Sequence, residues 1–158
     1  MTTYRIERAR DPQDLALRAA EYIANAIQLA LDQRDRAQIA LSGGTTPSKA
    51  YQRLGQQHLP WNRVDVFLGD ERWVSADDES SNAGMLRSTL LQAGEPGAAA
   101  CFHPVPSVEL PSPEASPYAL AQLIANTRRR QPPIFDMLSL GIGDDAHTAS
   151  LSTVTDPP

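Results

Sequence analysis

The chain holds one cysteine, Cys101, one lysine, Lys49, and no apolar run long enough to span a bilayer. A single thiol forms no internal disulfide and no cysteine-based zinc site, which points to a reducing compartment. No basic stretch followed by an apolar one opens the chain, so it reads as soluble and cytoplasmic, without a membrane partner. Positive charge is in deficit too: 14 Lys and Arg against 19 Asp and Glu leave a formal charge of -5. Such a chain lacks the overall attraction on which sequence-independent nucleic-acid binding rests, and nucleic acid is set aside as a partner. Any anion site must therefore be built from arginine, backbone N–H groups or Lys49. What is present, 158 residues of which 41% are hydrophobic, suffices for one ordinary folded domain.

Asp11-Pro12 reads as an N-cap followed by Pro at the first helical position, and Leu15, Ala19, Tyr22, Ile23, Ile27 and Leu31 recur at helical spacing. A long amphipathic helix is expected, ending in the charged stretch 32–36. Gln38 to Leu41 is a short apolar run stopped by Ser42-Gly43-Gly44, the pattern of a buried strand entering a tight turn. Helix restarts at Pro47. Val64 to Leu68 is a second strand closed by Gly69, and a helix from about Ser81 points Met85, Leu86 and Leu90 at the core. Six prolines between Gly94 and Pro117 favour an extended excursion over a hidden element, on a path that crosses a sheet edge or frames a pocket. Tyr118 to Arg130 reads as helix, and Ile134 to Leu140 as a third strand closed by Gly141. Strands alternating with helices predict an α/β fold with a doubly wound, mostly parallel sheet and helices on both faces.

Ligands of open parallel sheets bind beyond the carboxyl ends of the strands, where three loops converge here. The first, Ser42-Gly43-Gly44-Thr45-Thr46-Pro47, has glycines free to take positive φ, flanking hydroxyls and a helix start, which is equipment for holding a phosphate on backbone N–H groups. It also fits a plain tight turn with Ser and Thr as caps. It is no Walker A loop, because Ser48 stands where that motif needs its second glycine and Ala50 where it needs a hydroxyl. The second loop, Gly69-Asp70-Glu71-Arg72, offers a guanidinium able to clamp an anion or polarise a carbonyl, or simply a surface salt bridge. The third, Gly141 to His147, matches Gly-x-Gly-x-x-Ala only formally. Asp144 and Asp145 would set two negative charges beside a pyrophosphate, so a dinucleotide site is rejected. What remains there is His147 at a helix start, preceded by carboxylates that can orient it. Together the loops suggest a phosphorylated small substrate held at the glycine turn and by Arg72, with His147 as general base. His58 and His103, in loop-like contexts away from the strand ends, are assigned structural or solvent roles.

Leu41 to Pro47, Asp65 to Val74 followed by Ser81-Asn82, and Phe135 to Leu151 closely resemble the 6-phosphogluconolactonases. The resemblance covers roughly residues 11 to 151, in the correct order. It implies a sugar-isomerase-like α/β fold shared with glucosamine-6-phosphate deaminases, and hydrolysis of 6-phosphogluconolactone in the oxidative pentose phosphate pathway without metal or nucleotide cofactor. By the same resemblance His147, with Asp145 beside it, activates the attacking water. Ser42, Gly43, Gly44, Thr45, Asp70 and Arg72 would face the substrate. Two departures stand out: Ala146 occupies the position of a family glycine, and Ser152-Thr153 replace Phe-Pro. Residues 1–151 then correspond to the N-terminal part of a family domain incomplete at its C-terminus, and 152–158 to a divergent tail. Two other readings stay open, an aminosugar-phosphate deaminase or isomerase, and a non-catalytic fragment that at most binds sugar phosphate. Arg72 after Asp-Glu and the ending Thr148-Ala149-Ser150-Leu151 favour the lactonase. Oligomeric state is not legible.

Overall fold

The computed structural model describes residues 4–75, 77–105, 116–127, 135–143 and 148. Helix α1 runs Pro12–Gln33, and its start is fixed as the sequence predicts: the Asp11 carboxylate accepts from the backbone N–H groups of Gln13 and Asp14. Strand β1, Ala37–Leu41, leads through the glycine turn into α2, Thr45–Gly55. A 3₁₀ turn at Trp61–Arg63 precedes β2, Val64–Leu68, and α3 follows at Asn82–Ser88 with Ser81 as its cap. Then come a 3₁₀ turn at Pro96–Ala99, strand β3 at Cys101–His103, helix α4 at Ser116–Thr127, and strand β4 at Met137–Leu138. The four strands are all parallel, in the order β3-β2-β1-β4.

Alternation decides which side chains make the core. Ile39 and Leu41 of β1 and Val64, Val66 and Leu68 of β2 share one face of the sheet, and onto it pack Ile23, Ile27 and Leu31 of α1, Tyr51 and Leu54 of α2, and Leu86 of α3. The opposite face carries Asp65 and Phe67. Phe67 is fully buried, stacked on the His103 ring at 4.7 Å and edge-on to Phe135. No helix among the described residues is long and apolar enough to cross a membrane.

Several expectations need correction. Helix α2 begins at Thr45, two residues before Pro47, because Gly44 at φ 112° turns the chain early. The proline-rich stretch does hide an element: β3 is a three-residue strand, at the edge of the sheet among the described residues, hydrogen-bonded there to β2 and followed at once by Pro104, a placement prolines tolerate. His103 therefore lies on a strand, not in a loop. Its Nε2 sits 2.9 Å from an Asp65 oxygen, and the same carboxylate takes the Arg36 guanidinium on both oxygens. Burial pushes the Asp65 pKa up, but Arg36 and His103 outweigh it and hold the carboxyl below its ordinary value. The strand expected at 134–140 pairs only over Met137–Leu138, held there by the Asp136 and Ser139 N–H groups bonding the Gln38 and Ala40 carbonyls. Ile134 lies outside the described residues, as do Arg128 to Arg130 at the end expected for the fourth helix.

Close backbone contact sets the path into β3. A Cβ on Gly97 would stand 2.1 Å from the Leu90 carbonyl oxygen and 2.8 Å from the Gly55 Cα, and neither backbone atom can rotate away. Gly97→Ala is expected to lower stability by about 1–3 kcal/mol, the usual cost of overpacking. Thermal unfolding checks this, and an unchanged midpoint would mean that the 3₁₀ turn shifts freely.

Candidate active site

A cleft of about 720 Å³ opens where β1, β2 and β4 end. Residues 42–47 form one wall, Asp70, Arg72 and Asn82 a second, and 139–143 a third, while Leu15, Ala19 and Ile23 of α1 give it an apolar flank. The structure thus brings together Ser42, Gly43, Gly44, Thr45, Asp70 and Arg72 in one place. Asp145 and His147 lie outside the described residues, as do Asp144 and Ala146; the described chain reaches Gly143 on the cleft wall and resumes at Thr148.

The two glycines are there for different reasons. Gly44 has φ 112°, a conformation costly for other residues, and serves as the N-cap of α2 without any side-chain cap bond. The first N–H groups of that helix are left for a ligand or solvent at the positive end of its dipole. Gly43 does not use the freedom to take positive φ that the sequence allows both glycines. Its missing side chain makes room for Asn82 instead: a Cβ on Gly43 would lie 2.1 Å from Asn82 Oδ1 and 2.5 Å from Nδ2.

Asn82 ties the first loop to the second. Buried at the start of α3, it donates through Nδ2 to the Asp70 carbonyl at 3.1 Å and, more weakly, to the Asp70 carboxylate at 3.4 Å. Glu71 has another duty. Its carboxylate accepts from the backbone N–H groups of Arg72, Asn82 and Ala83, each at 2.8 Å, so it caps α3 and braces its own loop rather than facing the cleft. The Arg72 guanidinium has no ion pair or hydrogen bond among the described residues and lines the cleft, so the salt-bridge reading of that loop falls to Glu71's capping role.

Under the glycine turn lies a cluster of hydroxyls. Tyr51 Oη reaches the Ser42 carbonyl at 3.1 Å, and Tyr51 Oη, Ser42 Oγ and Ser139 Oγ lie 3.3–3.4 Å from one another. Burial pushes the Tyr51 phenol above its ordinary pKa, with the Ser139 and Ser42 bonds working the other way, so at neutral pH it is a protonated donor. Periodicity alone assigns Tyr51 to the apolar face of α2 and Ser139 to a strand interior. The signal that separates them from core is chemical: a tyrosine and a serine at buried positions need partners for their hydroxyls.

A parallel α/β sheet with a cleft at its carboxyl edge, floored by a glycine turn and a helix N-terminus and rimmed by an arginine without a side-chain partner among the described residues, has the layout in which open α/β proteins hold small ligands. The particular family is narrower. The sequence pattern of the glucosamine-6-phosphate isomerases/6-phosphogluconolactonase family matches residues 10–155, and the chain belongs to that family. It is similar to the 6-phosphogluconolactonase of Nostoc sp., with 38% identity over 148 residues, 92% of this chain and 61% of the relative. The 6-phosphogluconolactonase of Synechocystis sp. is 41% identical over 143 residues, 88% of this chain and 58% of the relative. Among solved structures, a 6-phosphogluconolactonase from Shewanella baltica superimposes with a TM-score of 0.76 at 36% identity, covering 89% of this chain and 57% of that one. The chain thus spans about three-fifths of the length of these relatives.

Proposed function

We propose that the chain hydrolyses 6-phosphogluconolactone to 6-phosphogluconate. The observation that carries this reading is the cleft itself: in a member of this family, the N-terminus of α2, the glycine turn and Arg72, which has no side-chain partner among the described residues, converge on one opening at the strand ends. A phosphate on the first loop leaves the lactone ring within reach of the second and third. His147 then takes a proton from water as the water oxygen attacks the lactone carbonyl carbon, and Asp145 orients the imidazole. The tetrahedral intermediate collapses by breaking the bond to the ring oxygen, which leaves as a hydroxyl after protonation by the imidazolium. The product is the open-chain acid. No step needs a metal or a nucleotide.

The anion end of this reading is tested by ligand pairs. Arg72→Ala is expected to weaken binding of 6-phosphogluconate by about tenfold or more, the worth of one charge-assisted contact, and to leave binding of unphosphorylated gluconate nearly unchanged. Titration calorimetry with both ligands checks it. Equal weakening would move Arg72 to the lactone end, and no weakening of either would remove it from the site.

A further inference from the structure

The geometry points to Tyr51 as a positioning residue that turns the Ser42–Gly43 peptide so that its N–H faces the cleft. This rests on reading the cleft as a phosphate site, and it names a part of that site which neither the loop sequence nor the family likeness supplies.

The argument starts from the planarity of the peptide unit. The carbonyl of Ser42 and the N–H of Gly43 belong to one trans peptide and point in opposite directions. Strand β1 ends at Leu41, and no backbone N–H among the described residues donates to that carbonyl. Tyr51 Oη takes it instead at 3.1 Å, from a residue that is 1% exposed and therefore fixed from below by the core. With its carbonyl drawn down to Tyr51, the peptide must direct the Gly43 N–H the other way, up into the opening that Gly43 lines. That N–H has no hydrogen-bond partner among the described residues. It therefore joins the N–H groups of the α2 start, which have no side-chain cap among the described residues, as a donor, and the backbone at Gly43 presents an anion-binding concavity rather than a random loop.

The cluster also reaches the third loop. Ser139 Oγ lies 3.4 Å from Tyr51 Oη and 3.3 Å from Ser42 Oγ, and Ser139 ends the β4 pairing just before Gly141. One buried phenol thus sets the first loop and touches the root of the third. A phenylalanine would fill the same core volume. The hydroxyl is what the site requires, and its removal separates packing from positioning.

The test is Tyr51→Phe in the 158-residue chain, read by two-dimensional amide NMR with inorganic phosphate and 6-phosphogluconate as probes. In the ligand-free chain the Gly43 amide resonance is expected to move, because the carbonyl of its own peptide loses its donor. On titration the dissociation constants for both anions are expected to rise about tenfold, within the range of one hydrogen bond. In lactone hydrolysis KM should rise while kcat holds, since Tyr51 touches no reacting atom. A Gly43 resonance that stays in place overturns the inference, and so does a resonance that moves while both anions bind the variant as tightly as the wild type. If the wild-type chain itself binds neither anion, the phosphate reading fails and takes the inference with it. The unmutated chain therefore tells the two failures apart.

Discussion

Replacing His147 by alanine is expected to slow lactone hydrolysis by about 10² to 10⁴-fold, the usual worth of a positioned general base. Water is a poor nucleophile until a base takes its proton, and His147 is the base proposed for that task. His103 is committed to Asp65 on the opposite sheet face and stacked on Phe67. His58 is exposed in the segment between α2 and the 3₁₀ turn at Trp61. His147 follows the loop whose beginning, 141–143, forms a wall of the cleft, and Asp145 precedes it by two residues. The loss should fall on kcat, with 6-phosphogluconate still bound through the glycine turn and Arg72. Initial rates corrected for unaided lactone opening measure the first part, and calorimetry the second. A His147→Ala chain that keeps the wild-type rate would remove the base from this account.

The second large effect is expected at Gly43. A methyl there would meet the Asn82 amide at 2.1–2.5 Å, and Asn82 is buried and tied to Asp70. Gly43→Ala must therefore expel Asn82 and break its bonds to the second loop, or push the first loop outward. Either outcome separates the donors at 42–45 from Arg72. Stability should fall by about 1–3 kcal/mol, and the affinity for 6-phosphogluconate by at least about tenfold, equivalent to one lost hydrogen-bonded contact. Asn82→Ala should be damaging too, but Gly43→Ala added to it should cost little more, because the methyl then occupies vacated space. Contacting residues commonly couple by about 0.5–3 kcal/mol. Strictly additive losses in a denaturation cycle would show that Gly43 and Asn82 are independent.

Much of this architecture is legible in sequence because local signals agree with the fold. Asp11-Pro12 caps α1 as it reads, and the run 64–68 is a strand buried along its whole length. Ser81 caps α3. The loops that close these elements are the ones that gather at the cleft. What is not legible has a common physical reason: it depends on contacts between segments far apart in the chain. Strand β3 is only Cys101–His103, too short to show alternation, and it exists because β2 offers it an edge. The apolar residues from 134 to 140 suggest a longer strand than the pairing with β1 sustains. The duty of Glu71 is invisible in sequence, because the N–H groups of α3 that claim its carboxylate lie eleven and twelve residues on. Gly43 looks like a turn glycine, and its true requirement is the side chain of Asn82. Tyr51 is hidden for the opposite reason, since its ring satisfies the helix pattern so well that the pattern gives no hint of its hydroxyl.

The most direct measurement of the central claim is the rate at which the purified 158-residue chain consumes 6-phosphogluconolactone, followed by formation of 6-phosphogluconate and corrected for the enzyme-free reaction. The account predicts a rate above that blank which is proportional to protein concentration, saturates with substrate, and is competitively inhibited by 6-phosphogluconate. A chain that melts cooperatively yet leaves the lactone opening at the blank rate would contradict it, and would identify this span as at most a sugar-phosphate-binding part of the family's domain.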